Sequence, residues 1–228
     1  MPGKYYQNKL FPFQDSVLQL IQDMKVAFYL TGGTALFRCY LNHRYSDDLD
    51  FFVNAHPDFK TDCNKVISRL KNVPRWHLKV GTVAETFVRL MLEKEDTSLK
   101  VDFVNDVAFH SGDFVKCPVY YRVDNWRNIL SNKLCALSRR DAKDIADIVF
   151  IARRYRFNWE ELFGEARQKD LWVDPLEICK IISDFPPQLF DSINWISPFD
   201  IEELQLIING IHDDIFWGRD NSMAEEET

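Results

Sequence analysis

Two aspartates stand where neighbouring carboxylates could bind a divalent metal. Asp48 and Asp50 are two residues apart in the run SDDLDFFV, in which Leu49 and Phe51 alternate with them. Residues two apart on a β-strand share a face, so this pattern predicts that both carboxylates point the same way. Adjacent carboxylates repel each other unless water or cations surround them. Magnesium takes a few carboxylates together with water and phosphate oxygens, and it would relieve that repulsion.

A third aspartate could complete such a site. Asp102 lies in LKVDFVND, a second strand-like run, where an isolated ionised carboxylate is costly to bury. If the two strands are neighbours, the three carboxylates could hold two Mg²⁺ (or Mn²⁺) ions roughly 3.5–4 Å apart. Without Asp102, a solvated turn in which Ser46 and Asp47 cap the strand entry explains SDD equally well. The third acid favours the metal site.

Two adjacent glycines precede the acids and could hold phosphate. The chain has only eight glycines, and Gly32 and Gly33 follow a strand-like run ending at Leu30. A short helix is predicted from Thr34, so bare amides at the turn could donate to an anion that approaches closely. Neither GxxxxGK[ST] nor GxGxxG is present, which excludes a Walker loop and a dinucleotide fingerprint. A tight strand-to-helix turn without a ligand is the alternative.

Composition narrows the classes of function. The 228 residues are 46% hydrophobic and 14% aromatic, enough to bury the core of one large domain or two small ones. A net charge of −7 and a pI near 5.3 mean that any polyanion must meet a local basic patch. Neither the five cysteines nor the five histidines show zinc-site spacing, and no apolar run reaches the ~18 residues of a membrane span. We therefore expect a cytoplasmic protein with reduced thiols.

The elements that would position these residues change in kind near residue 123. Strand-like runs dominate the first half, and helical periodicity dominates the second. The predicted strands are Val26–Leu30, Leu49–Val53, Trp76–Thr82, Thr86–Leu92 and Leu99–Val104, with helices at Thr34–Leu41 and Asp58–Lys71. We predict an α+β core over residues 1–122, a helical domain over 123–217 and a disordered tail over 218–228, which lacks an apolar face.

The order of these features is that of a known superfamily. A Gly-Gly turn, a short helix, two aspartates on one strand and a third on a later strand occupy roughly residues 26–104. This region resembles the nucleotidyltransferases related to DNA polymerase β. The resemblance implies a mixed sheet flanked by helices.

A narrower resemblance extends into the helical half. RYSDDLD matches R-x-S-x-D-h-D, and KLCALSRRDAKDIAD contains K-x-x-A-x-x-x-R followed by [KR]-D-x-x-D. The chain thereby resembles the AbiEii toxin family, the enzyme half of bacterial abortive-infection toxin–antitoxin pairs. The matching positions are Arg44, Ser46, Asp48, Asp50, Lys133, Ala136, Arg140, Lys143, Asp144 and Asp147.

This resemblance implies metal-dependent transfer of a nucleotide from a nucleoside triphosphate to an acceptor. It makes Asp48, Asp50, Asp102 and Lys133 catalytic, with the three aspartates holding Mg²⁺ or Mn²⁺. The nucleotide-binding residues that it implies are Gly32, Gly33, Thr34, Arg44, Ser46, Lys133, Arg140 and Asp144. The family makes RNA, such as tRNA, the expected acceptor, and a separately encoded antitoxin the expected partner.

Two other functions stay open. A small-molecule nucleotidyltransferase of the aminoglycoside-modifying kind shares the glycines and the paired aspartates, but the late K-x-x-A-x-x-x-R segment favours the toxin family. A non-catalytic partner-binding domain could keep the fold, but three intact acids argue against it. The basic residues between Lys133 and Arg156 could bind phosphate, or they could form helix-surface ion pairs such as Lys143 with Asp147.

Overall fold

The computed structural model describes residues 2–198 and 200–225, which form two compact units. The division falls a few residues after the predicted boundary at residue 122, and a short segment of the first half belongs to the second unit. The first unit is Met1–Tyr40 with Tyr45–Asn125, and the second is Leu41–Arg44 with Trp126–Thr228.

The first unit contains a seven-stranded mixed sheet within the described residues. Its strands are β1 (Tyr29–Thr31), β2 (Leu49–Asn54), β3 (His77–Val83), β4 (Phe87–Lys94), β5 (Thr97–Asp106), β6 (Val115–Cys117) and β7 (Tyr120–Val123). Their order is β3-β4-β5-β2-β1-β7-β6. Strand β2 is parallel to β5 and antiparallel to β1. The sequence prediction located the first five strands and missed the short β6 and β7.

Helices in the first half pack on the sheet and were only partly predicted. The α-helices are α1 (Pro2–Tyr5), α2 (Phe11–Asp23), α3 (Gly32–Leu36) and α4 (Phe59–Lys71), and π-helical turns lie at Tyr6–Leu10 and Phe37–Leu41. The N-terminal helices were not predicted. In α2, Phe13, Val17 and Ile21 are each four residues apart and fully buried, which is the spacing of one helix face.

Strand β2 separates the core of the first unit from its polar face. Leu49, Phe51 and Val53 are buried, while the residues between them are only half-buried. The ring of Phe51 stacks on Phe103 of β5, with 5.4 Å between the centroids. The predicted alternation therefore directs Asp50 to the face opposite the aromatic core.

The second unit is helical in its described part. Its α-helices are α5 (Trp126–Ala136), α6 (Ala142–Arg154), α7 (Trp159–Arg167), α8 (Pro175–Ser183) and α9 (Ile201–Phe216), with 3₁₀ turns at Leu137–Arg139 and Pro187–Ser192. Asn158 and Asp174, which precede α7 and α8, each accept a backbone N–H at the helix start. No helix among the described residues is long and apolar enough to span a membrane.

Most of the predicted disordered tail is instead folded against α6. Asn221 is buried, and its Nδ2 donates to Ala152 O at 2.6 Å and to Tyr155 O at 2.7 Å. These carbonyls belong to the end of α6, where the helix leaves acceptors unsatisfied. One polar side chain therefore anchors a segment that has no apolar face. Residues 226–228 lie outside the described residues.

A disulfide corrects the expectation of reduced thiols. Cys39 and Cys117 are bonded across 78 residues of sequence, with their Cα atoms 5.9 Å apart. Sequence spacing carried no signal for this pair, because only the fold brings the two segments together. Cys63, Cys135 and Cys179 remain thiols.

Candidate active site

The three aspartates predicted to be catalytic lie at one place on the sheet of the first unit. Asp50 on β2 and Asp102 on β5 are register partners on neighbouring parallel strands. Register partners share a face of a sheet, so their carboxylates project side by side. Asp48 precedes β2 by one residue and shares that face. The strand adjacency that the site requires is therefore present.

The Gly-Gly turn lies directly against these acids. Thr31, the last residue of β1, is the register partner of Asp50, and Gly32 follows with φ of +68°. A Cβ on Gly32 would lie 2.6 Å from Asp50 Oδ2, closer than real contacts allow. Thr34 Oγ1 donates to Asp48 O and thereby ties the short helix α3 to the entry of β2. The turn requires glycine at position 32 both for its backbone angle and for the carboxylate beside it.

Two cations that the sequence analysis missed neutralise the acids. Arg89 on β4 is the register partner of Asp102, and its Nε and Nη2 donate to the two carboxylate oxygens at 2.8 and 2.7 Å. Lys100 Nζ lies 2.6 Å from Asp48 Oδ2. The hydrogen bond to Asp102 raises the pKa of Arg89; burial lowers the pKa of Lys100, but the bond to Asp48 outweighs it, and the net shift is upward. Arg89 and Lys100 alternate with apolar residues in their strands, and nothing in that pattern indicated that they would pair with the acids.

The carboxylate oxygens at this site are ligands of the kind that magnesium prefers. Among the described residues, no three His, Cys, Asp or Glu side chains form a ready metal site. Two of the three acids are in ion pairs, Asp102 with Arg89 and Asp48 with Lys100. Both cations have long, partly exposed side chains that can turn away, and carboxylate oxygens are hard ligands. Binding of Mg²⁺ or Mn²⁺ by these aspartates stays a prediction.

A buried aspartate also stabilises the Gly-Gly turn, through a hydrogen bond to Thr31. Asp124, which follows β7, is fully buried, and its Oδ2 accepts a hydrogen bond from Thr31 Oγ1 at 2.6 Å. Its Oδ1 lies 3.0 Å from His110 Nε2, and its backbone O accepts from the Tyr40 hydroxyl at 2.7 Å. Local sequence gives no sign of this role, because Thr31 and Asp124 are 93 residues apart. The structure makes it an anchor for the residue that precedes Gly32.

The remaining predicted residues divide between the two units. Ser46, in the first unit, is buried, and its backbone O accepts from Gln14 Nε2 at 3.1 Å. Arg140, in the second unit, is exposed and adopts a left-handed backbone with φ of +54°, between a 3₁₀ turn and α6.

In the second unit, Arg44, Lys133 and Asp144 form a buried ion network around Asp147. Arg44 Nε and Nη2 donate to Oδ1 and Oδ2 of Asp147, both at 2.7 Å. Lys133 Nζ lies 2.6 Å from Asp147 Oδ2 and 2.7 Å from Asp144 Oδ1. His43 Nε2 lies 2.8 Å from Asp147 Oδ1. The lysine and both aspartates of the late motif therefore contact one another within this unit.

Charge pairing outweighs desolvation in this network. Burial by itself would raise the pKa of Asp147, but the charges of Arg44 and Lys133 hold it well below its usual range. Burial lowers the pKa of His43, whose Nδ1 has no hydrogen-bond partner in the described structure. Because an ionised carboxylate can only accept, His43 Nε2 donates to Asp147 Oδ1. Lys133 has two carboxylate partners of its own, so stabilisation of the second unit is one role that its position supports.

Comparison with known proteins identifies relatives over most of the chain. A family model described as "Nucleotidyl transferase AbiEii toxin, Type IV TA system" matches residues 21–213. An uncharacterised protein of Aquifex aeolicus is 27% identical over 194 residues, which are 77% of this chain and 83% of that protein. The chain is therefore similar over most of its length to a curated relative of comparable size.

Two solved structures share the fold. JHP933 from Helicobacter pylori matches with a TM-score of 0.57 and 22% identity, over 91% of this chain and 92% of that one. MenT4, a nucleotidyltransferase toxin from Mycobacterium tuberculosis, matches with a TM-score of 0.58 and 20% identity, over 91% of this chain and 82% of that one. The predicted α+β class, a mixed sheet flanked by helices, is confirmed.

Proposed function

This chain belongs to the AbiEii family of nucleotidyltransferase toxins, and we propose that it transfers a nucleotide from a nucleoside triphosphate to RNA. The expected acceptor is tRNA. Membership of a type IV toxin–antitoxin family also implies a nucleotide substrate and an antitoxin partner. We infer that the antitoxin is encoded separately. The observation that carries the proposal is the register pairing of Asp50 with Asp102 beside the Gly32 turn.

The three aspartates would hold the metal, and the chain's other residues would position the phosphates. Bound Mg²⁺ or Mn²⁺ would lower the pKa of the acceptor hydroxyl and stabilise the leaving pyrophosphate. Gly32 lets the carboxylate of Asp50 lie against the backbone of the turn, so the acid and the turn amides would contact the same substrate. Arg89 and Lys100 place positive charge beside the acids, where a triphosphate needs it. Alignment of the two substrates and electrostatic stabilisation of the transition state would provide most of the rate enhancement.

Transfer to RNA can be tested with labelled nucleotides. We expect the purified protein, given each α-labelled nucleoside triphosphate with Mg²⁺ or Mn²⁺, to label total tRNA when tRNA, protein and amino-sugars are offered in parallel. Chelation of the metal should abolish the label. Label on an amino-sugar alone would favour the small-molecule alternative. Absence of label on every acceptor, at each of the four triphosphates and with either metal, would contradict the proposal.

Replacing Gly32 by alanine should damage both the turn and the acid beside it. A left-handed φ costs a non-glycine residue about 1–2 kcal/mol, and the new Cβ would displace the carboxylate of Asp50. We expect Gly32→Ala to lower the free energy of unfolding by about that amount and to slow nucleotide transfer roughly 100-fold, since a small misplacement at a reacting site has effects of that order. Urea unfolding and initial transfer rates measure the two effects.

The matched control for this change is Gly164→Ala in α7. A Cβ at Gly164 would meet nothing within 4 Å, and the residue lies inside a helix. Alanine there should leave transfer unchanged and raise stability by about 0.5–1 kcal/mol. Unimpaired transfer by Gly32→Ala would mean that the turn does not position Asp50.

A further inference from the structure

A cavity of about 370 Å³ opens on the first unit, on the same face of the sheet as the catalytic acids. Asn54 lies on its wall and shares a face with Asp50, because the two are four residues apart on β2. The volume falls in the range of sites that hold one small ligand. None of the described lining residues is acidic, although the chain carries a net charge of −7. The cavity is therefore a local site that a polyanion can approach.

Aromatic rings and a guanidinium form the wall. The ring of Phe114 lies 4.4 Å from the His110 ring and 4.7 Å from the Tyr29 ring, between centroids. Arg122 Cζ lies 4.1 Å from the Phe114 centroid, and Arg122 Nη1 donates to Ala27 O at 2.8 Å. Flat π-surfaces next to a planar cation match the two chemical parts of a nucleotide, its base and its phosphate.

The loop that carries His110 and Phe114 is held by Asn54 on β2 and by Asn125, which follows β7. Asn54 Nδ2 donates to Val107 O at 2.8 Å, and Asn125 Nδ2 donates to Ser111 O at 2.7 Å. Asn125 Nδ2 also donates to Asp113 O at 3.1 Å. The wall is therefore preorganised, which reduces the ordering cost of binding.

Hydrogen bonds connect the cavity to the candidate active site. His110 Nδ1 lies 2.9 Å from Gly112 O, and its Nε2 lies 3.0 Å from Asp124 Oδ1. Asp124 in turn accepts from Thr31, the register partner of Asp50. Both ring nitrogens of His110 are engaged, so the ring is a fixed wall of the cavity. A ligand seated there lies at one end of a short chain of contacts to the acids.

We propose that this cavity binds a nucleotide of the acceptor RNA, with its base against Tyr29, His110 and Phe114 and its phosphate on Arg122. The proposal rests on the proposed function, because it identifies a site for that reaction's acceptor. Asn54 and Asp50 are four positions apart on β2, or about 13 Å at the usual rise per residue. Under this proposal the three contiguous phosphates of a donor lie at the acids, and the phosphate on Arg122 belongs to the acceptor.

Binding of a short RNA in the absence of metal and triphosphate measures acceptor binding separately from catalysis. We expect Arg122→Gln and Phe114→Leu each to weaken binding of a fluorescein-labelled single-stranded RNA octamer about 10-fold or more, measured by fluorescence anisotropy. Arg122→Gln should also reduce the slope of log affinity against log salt by about 0.7, the value for one single-strand phosphate contact. Phe114→Leu should leave that slope unchanged, because it removes stacking and no charge.

Arg69 is an exposed arginine on α4. Arg69→Gln is therefore the matched control and should bind RNA as wild type does. Melting curves check that the variants are folded, and Arg122→Lys, which keeps the charge without the planar guanidinium, should bind with intermediate affinity. Unchanged RNA affinity in both Arg122→Gln and Phe114→Leu would overturn the proposal. Weaker triphosphate binding with unchanged RNA binding would also overturn the proposal, because the cavity would then bind the nucleotide donor. Failure of the proposed function looks different: wild type would bind the octamer at this cavity but would transfer no nucleotide.

Discussion

Asp50→Asn is expected to reduce nucleotide transfer by about 1,000-fold or more while leaving the protein folded. Asp50 is next to Asp102 in register, and both are proposed ligands of the same metal. Loss of one carboxylate ligand removes several kcal/mol of charge stabilisation from the transition state, and each 1.36 kcal/mol is a factor of ten. The amide keeps the shape of the side chain against Gly32.

Stability should respond differently from activity in this variant. Neutralising one member of a carboxylate cluster relieves repulsion in the metal-free protein, so the free energy of unfolding should change by less than about 1 kcal/mol. Asp96→Asn, in an exposed ion pair with Lys9, is the matched control and should keep full activity. Initial rates with a labelled triphosphate and urea unfolding provide both readouts. Wild-type turnover by Asp50→Asn would remove the active-site assignment.

The same variant connects the chemistry to the toxin role. Expression of the wild-type chain without its antitoxin is expected to arrest bacterial growth reversibly, because nucleotide transfer to an abundant RNA stops translation without lysing the cell. Asp50→Asn at equal expression should not arrest growth. Growth arrest by both chains would separate toxicity from nucleotide transfer.

Asp147→Asn is expected to lower the free energy of unfolding by about 3–5 kcal/mol, the usual cost of removing one partner from a buried ion pair. Arg44 and Asp147 are almost fully buried, and Lys133 is only 12% exposed. The substitution leaves the buried Arg44 beside a neutral amide, while Lys133 keeps its ion pair with Asp144. Urea unfolding of the full chain, followed by circular dichroism, measures the loss.

Two further variants show where that loss comes from. Asp213→Asn changes a carboxylate on α9 that is 70% exposed, so it should cost less than about 0.5 kcal/mol. Lys133→Met should cost less than Asp147→Asn, because Arg44 still pairs with Asp147. If Lys133→Met instead lost triphosphate binding with unchanged stability, Lys133 would serve the nucleotide. Wild-type stability of Asp147→Asn would mean that the network is solvated.

The local features of the site could be predicted because they depend on residues close in sequence. Alternation of Leu49, Asp50 and Phe51 sets which face of a strand each side chain takes, since successive residues on a strand point to opposite sides. The cap residues Asn158 and Asp174 start their helices through hydrogen bonds to amides two or three residues away. The choice of glycine at position 32 likewise reflects a local backbone angle.

Only the tertiary structure decided which distant residues meet. Sequence patterns placed Asp50 and Asp102 on strands. Their register depends on how two strands 52 positions apart in sequence align. A one-residue slip would send one carboxylate into the core. The pairing of Arg89 with Asp102 follows from the same register. Arg44 and Asp147 are 103 residues apart, and no local pattern reports that separation. Lys133 is the clearest case, because the family resemblance implies a nucleotide contact, while only the fold shows that the lysine lies beside two aspartates.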